Sequence, residues 1–197
     1  MGRDKRLLEY QGKPLIRHTL EAAQAVSDEI WLLLASEQGK QALSPFVGEE
    51  ARFLVDARPG CGPLAALVDA LPQVQSEYAM LLAADYPLLT GPFLMRMKCA
   101  LEAEKDPPDA LIPLYANVPQ VACAFYRQSL HQELQEAFLN DERSLRRWVM
   151  TLAEHRVKWL LAEECTKWGY PHVFFNVNTP QDYERLLRFR SQDLSSS

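Results

Sequence analysis

Asp85 has the type and position to do chemistry. It closes an unbroken apolar run, Tyr78-Ala-Met-Leu-Leu-Ala-Ala-Asp85, and Tyr86-Pro87 follows it. A run of this kind reads as a strand of a parallel sheet covered on both faces. Ligands of open α/β sheets bind outside the carboxyl ends of the strands, so an acid there could hold a hard cation such as Mg2+ beside a phosphate. It could equally start a turn before Pro87. Lys5 lies in a glycine-containing basic segment with Arg3, Arg6 and Lys13 nearby. Such a cluster could grip a polyphosphate, or be a solvated basic surface. Gly60-Cys-Gly62-Pro63-Leu64 matches no Rossmann or Walker pattern, yet its glycines would let a backbone approach a ligand closely. A plain strand-to-helix turn is the other reading. Asn176 and Asn178 stand two apart at a strand end, so in extended chain both side chains point the same way and could meet one ligand, unless they only cap the next helix.

Elements that could position these groups alternate along the chain. A loop over 1–13 leads into an amphipathic helix from Pro14 to about Val26, with Ile16, Thr19, Leu20, Ala23 and Val26 at helical spacing. Strands are expected at 29–35 and 52–56 with a short helix between them, then a helix over 63–71. The central strand before Asp85 follows, and a helix over 91–104. Strands at 109–115 and 121–126 flank a turn, helices cover 129–139 and 144–152, and a strand spans 157–161. Thr179-Pro180 opens a last helix to about Arg190. One domain over 1–190 and a frayed tail over 191–197 are expected. Successive strand and helix units predict a doubly wound, mostly parallel α/β sheet, entered on a loop and helix with no strand ahead of them.

A net charge of −5 with dispersed basic residues argues against a general nucleic-acid or anionic-membrane surface. No apolar run has membrane-spanning length and the N-terminus is not signal-like, which points to a soluble, cytoplasmic protein. Cys61, Cys99, Cys123 and Cys165 form no Cys-x-x-Cys pair, and His18, His131, His155 and His172 have no metal-ligand spacing. Those histidines, with Trp31, Trp148, Trp159 and Trp168, read as surface or packing residues. No nucleophile, base and acid pattern supports covalent catalysis.

Taken in order, MGRDKRLLEYQGKPLIRHTLEAA, VDARPGCGPLAAL, LLAADYPLL and FFNVNTPQDYERLL resemble the molybdenum cofactor guanylyltransferase family, among the Rossmann-like nucleotidyltransferases. The resemblance covers nearly the whole chain. It implies transfer of GMP from GTP to the phosphate of molybdopterin with release of pyrophosphate, Mg2+ as cofactor, and molybdoenzymes or other cofactor-biosynthesis proteins as further partners. By resemblance Lys5 binds the nucleotide phosphates; Asp56, Gly60, Gly62, Pro63 and Leu64 receive the guanosine, with backbone groups for the base. Asp85 holds Mg2+, and Asn176 and Asn178 serve the acceptor side. In the family a first strand and a phosphate loop of the form LAGG-x-S-x-R precede the Met-Gly pair, so the resemblance implies a sheet without its first strand. Cytidylyl or sugar-phosphate nucleotidyl transfer, and a truncated, non-catalytic relative that binds the cofactor or a partner protein, are the alternative readings.

Overall fold

The computed structural model describes residues 4–55, 58, 60–168 and 172–189. Arg3, Asp56 and residues 190–197, with the expected tail, lie outside the described residues, and the last helix ends at Leu186, where Leu187 caps it, short of the Arg190 expected. The chain opens with a short hairpin, β1 (Glu9–Tyr10) and β2 (Lys13–Pro14), turning on Gln11 and Gly12; the loop expected over 1–13 is thus partly structured. Helix α1 (Leu15–Gln24) follows directly and buries Leu15, Ile16, Thr19, Leu20 and Ala22. Each such apolar side chain contributes about 1.5–3 kcal/mol.

Alternation then runs β3 (Ile30–Leu34), α2 (Glu37–Leu43), β4 (Ala51–Val55), α3 (Gly62–Ala70), β5 (Tyr78–Leu82) and α4 (Gly91–Glu102). The second half comprises β6 (Ala110–Tyr115), β7 (Val118–Pro119), β8 (Cys123–Arg127), α5 (His131–Leu139), α6 (Leu145–Val149), β9 (Val157–Leu161), α7 (Ala162–Lys167) and α8 (Pro180–Leu186). The α/β fold is the one the alternation implies, with mixed pairing. β3 pairs with β4 and β6 with β9 in parallel, whereas β8 runs antiparallel to both β5 and β6, and β6 turns back on β7.

β5 differs from the covered parallel strand expected of its sequence. It pairs antiparallel with β8, and all of its residues are only partly buried. Among the described residues β3 and β4 form a separate sheet, with no ladder between β3 and β5. Ala83 N–H donates to Ala122 O and Gln128 N–H to Glu77 O. Alternation along the strand therefore aims the backbone groups of Met80 and Leu82 away from β8. Residues 174–178 form no strand either, and α6 is shorter than the helix expected over 144–152.

Two larger cores lie against the mixed sheet. One joins Phe93, Leu94 and Met97 of α4 to Leu111, Phe125, Leu160 and Phe174; the other joins Leu64, Leu67 and Leu71 to Ile112, Tyr126, Leu134 and Trp148. Ile16 and Leu20 of α1 meet Leu34 and Ala51, while Ala22 reaches the α4 core, so α1 ties the two sheets together. No helix among the described residues is long and apolar enough to cross a membrane.

Candidate active site

Asp85 stands just past the end of β5, and the segment Asp4–Leu8 crosses in front of it. Lys5 Nζ donates to Asp85 Oδ2 and to Asn178 Oδ1, both at 2.9 Å. The same segment reaches the other sheet, where Arg6 Nη2 lies 3.5 Å from the position a Cβ on Gly39 would take, in the helix that follows β3. The carboxyl ends of β3 and β5 therefore open on one edge, and Lys5 sits over that edge.

Several contacts hold Lys5 there. Asp4 caps the Lys5–Leu7 turn by accepting from Arg6 N–H, and takes the Arg6 guanidinium as well. That guanidinium bond keeps the Asp4 carboxyl below its ordinary value. Downstream, Leu15 N–H donates to Leu8 O, and Tyr183 Oη of α8 donates to Glu9 O at 2.6 Å. Tyr10, Leu15, Leu88, Val177 and Leu186 close a small core beneath the hairpin.

The asparagines are positioned by α8 and by the chain around Asp85. Val177 N–H donates to Asp85 O at 3.1 Å, so residues 176–178 run beside the acid in extended, unpaired chain. Thr179 caps α8 in a reciprocal box with Asp182, whose carboxylate accepts from Asn178 N–H, Thr179 N–H and Thr179 Oγ1. Those bonds hold the Asp182 carboxyl below its ordinary value. Asp182 is a positioning residue that the sequence reading passed over, although Thr179-Pro-Gln-Asp182 carries the box at the right spacing.

Asp85 Oδ1 and Asn176 Oδ1 are both buried and have no hydrogen-bond partner. A buried, unsatisfied oxygen costs on the order of 1–3 kcal/mol, and a bound ligand is one way such a group gains its partner. Both are hard oxygen donors of the kind Mg2+ takes, and Mg2+ commonly binds one or two carboxylates together with substrate phosphates. No group of three or more His, Cys, Asp or Glu among the described residues could hold a metal by itself.

The glycine loop opens at the start of α3, after β4. Gly60 and Gly62 have φ of 83° and 77°, and a Cβ on either would meet nothing within 4 Å. The loop is therefore kept for its backbone path and for open space in front of it. Among the described residues no side chain caps the first turn of α3, and an uncapped helix start is an arrangement that suits an anion or the polar edge of a base. Leu64 is fully buried, so only its main chain can face a ligand, and Pro63 has no N–H to offer.

A family model described as the MobA-like NTP transferase domain matches residues 1–157. The chain belongs to that family. It is 30% identical over 196 residues to a probable molybdenum cofactor guanylyltransferase from Nostoc, a match covering 99% of this chain and 87% of the relative. Its fold superposes with a TM-score of 0.74 on the molybdopterin-guanine dinucleotide biosynthesis protein A of Archaeoglobus fulgidus, at 28% identity over 94% of this chain and 89% of that one. A Mycobacterium tuberculosis protein crystallised with manganese shares the fold at a TM-score of 0.69 and 24% identity, over 95% of this chain and 94% of that one. The reaction of this family member is a nucleotidyl transfer.

Proposed function

We propose that this chain transfers GMP from GTP to the phosphate of molybdopterin and releases pyrophosphate. The observation that carries the proposal is Lys5 Nζ joined to both Asp85 and Asn178, with the Asp85 Oδ1 left without a protein partner. The names of the relatives from Nostoc and Archaeoglobus supply the guanine and the pterin.

Nucleotidyl transfer asks the protein for position and charge stabilisation more than for covalent chemistry. In the proposed step an oxygen of the acceptor phosphate forms a bond to the α-phosphorus of GTP. The bond from that phosphorus to the bridging α–β oxygen breaks, and its electron pair leaves with pyrophosphate. Lys5 offsets the negative charge that grows on the phosphate oxygens. Gly60, Gly62 and the main chain at Leu64 receive the guanosine, with Asp56 assigned to the same flank on the sequence alone. Asn176 and Asn178 orient the acceptor phosphate. Asp85 and Asn176 would hold Mg2+, which when bound neutralises phosphate charge during the displacement. Manganese in the Mycobacterium tuberculosis structure supports a divalent ion of this type.

Calorimetry and pyrophosphate release, with GTP and with CTP, each in Mg2+ and in EDTA, test the reading. Mg2+-dependent GTP binding is expected, with release only when the pterin acceptor is present. Preference for CTP would overturn the guanylyl assignment. Failure of a folded sample to bind either nucleotide would overturn the enzymatic one.

A further inference from the structure

In the sheet that holds β5, and not in the one whose β4 leads to the glycine loop, the β6–β7 hairpin ends in an exposed aromatic that the reading above leaves unused. Ala116 and Asn117 make its turn, with φ of 48° and 60°, and pair Tyr115 with Val118 across the tip. Both side chains are open to solvent, at 39% and 38% exposure. Sequential aromatic contacts lead from this tip inward. The Tyr115 ring lies 5.5 Å from that of Phe174, which in turn meets the Tyr86 ring edge-on at 6.3 Å. Tyr86 is the residue after Asp85, and Phe174 stands two before Asn176.

The tip is also tied to the site by one side chain. Gln120 Nε2 donates to Val118 O at 2.9 Å, and its Oε1 accepts from Tyr86 Oη at 3.1 Å. Gln120 N–H donates in addition to Pro113 O. Tyr86 is buried, and burial pushes its phenol well above the ordinary tyrosine value, so it remains a proton donor to Gln120 at any working pH. The hairpin is thereby held in register with Asp85, and Phe174 fixes the angle of the Tyr115 ring.

Sheet order separates this feature from the nucleotide flank. The glycine loop follows β4, which pairs with β3 in one sheet; the hairpin belongs to the other sheet, beyond β8 from β5. A planar group stacked on Tyr115 would therefore belong to the acceptor. We propose that Tyr115 is a specificity residue of the acceptor subsite, offering its ring as a platform on which the pterin heterocycle stacks while the acceptor phosphate is held near Asn176 and Asn178. This rests on the guanylyltransferase reading for the identity of the acceptor.

Pterin-6-carboxylic acid, a soluble fluorescent pterin, serves as the probe, titrated into wild type, Tyr115→Leu and Tyr115→Phe, with GTP titrated into the same samples. Tyr115→Leu keeps an apolar side chain against Phe174 but removes the ring, and Tyr115→Phe keeps the ring. Stacking on an aromatic side chain is lost on substitution with a penalty of roughly fivefold to a hundredfold in affinity. The expected result is pterin binding weakened at least about fivefold by the leucine, restored within about twofold by the phenylalanine, with GTP affinity following neither. Equal pterin affinity in all three proteins, or no pterin binding by a wild type that binds GTP, would overturn the proposal. Ring-dependent pterin binding without GTP binding would uphold Tyr115 and overturn the guanylyl reading instead.

Discussion

Lys5→Met separates an ammonium that serves chemistry from one that only glues loop to strand. Lys5 bonds Asp85 Oδ2 and Asn178 Oδ1, with the Lys5 side chain 36% and the Asp85 side chain 18% exposed. A pair this open to water is screened and contributes about 0–1 kcal/mol to folding, and water can replace the lost donor. At about 1 kcal/mol the melting temperature of a chain this size falls by roughly 2–4 °C. Loss of a donor aimed at charge that develops in the transition state costs far more, about 10²–10³ in rate, or roughly 3–4 kcal/mol. The assay is single-turnover pyrophosphate release at saturating GTP and acceptor, beside a thermal melt of the same preparation. The rate is expected to fall at least about a hundredfold while the melt moves only a few degrees. A rate within about threefold of wild type would refute the phosphate role, as would a melting loss large enough to account for the lost rate.

Gly62→Ala meets no steric obstacle but forces a side chain into φ of 77°, so a stability loss of about 1–2 kcal/mol and weaker GTP binding are expected by melting and calorimetry. Native thiol titration should label Cys61 and Cys99 quickly and Cys123 and Cys165 only on unfolding, because the latter two are buried and burial pushes the Cys165 thiol up to about 11; rapid labelling of Cys165 would contradict this packing. Asp182, held below its ordinary value of 3.8 by Thr179, gives stability that is complete above that value and is lost as pH falls through the lower, folded one. Protection of the Asn178 and Thr179 amides, relative to their unstructured rates at the same pH, should therefore fall as pH drops below 3.8 in wild type, and in Asp182→Asn that loss of protection with acid should disappear.

Much of this architecture was legible because local pattern carried it. The run ending at Asp85 announces a strand with an acid at its end, and Pro14, Pro63 and Thr179-Pro180 announce three helix starts. What was illegible depends on distant partners. Lys5 meets residues 80 and 173 positions away, and a basic loop looks the same in sequence whether it is solvated or docked. An all-apolar run such as Tyr78–Leu82 does not encode direction, so its antiparallel pairing with β8 could not be read from it. Residues 174–178 have strand-like composition, but Val177 bonds Asp85 beyond the end of β5, where no ladder continues. The Gln120 brace links a turn residue to a tyrosine 34 positions earlier, and neither residue carries a motif.

The division of the Asp85 carboxylate explains why the site is built from so few charges. Oδ2 is taken by Lys5, and Oδ1 is buried without a protein partner, as is the Asn176 oxygen. Under the proposed function, a cation shared by these two oxygens would supply the missing partner and recover on binding what their burial costs. On the proposed function, a site with a single carboxylate is also less anionic toward a triphosphate than one with several. One carboxylate already neutralised by lysine can share a cation with incoming phosphates, whereas two or three acids would repel them until the metal was in place. On the proposed function, this sparse donor set suits a metal that arrives with its nucleotide.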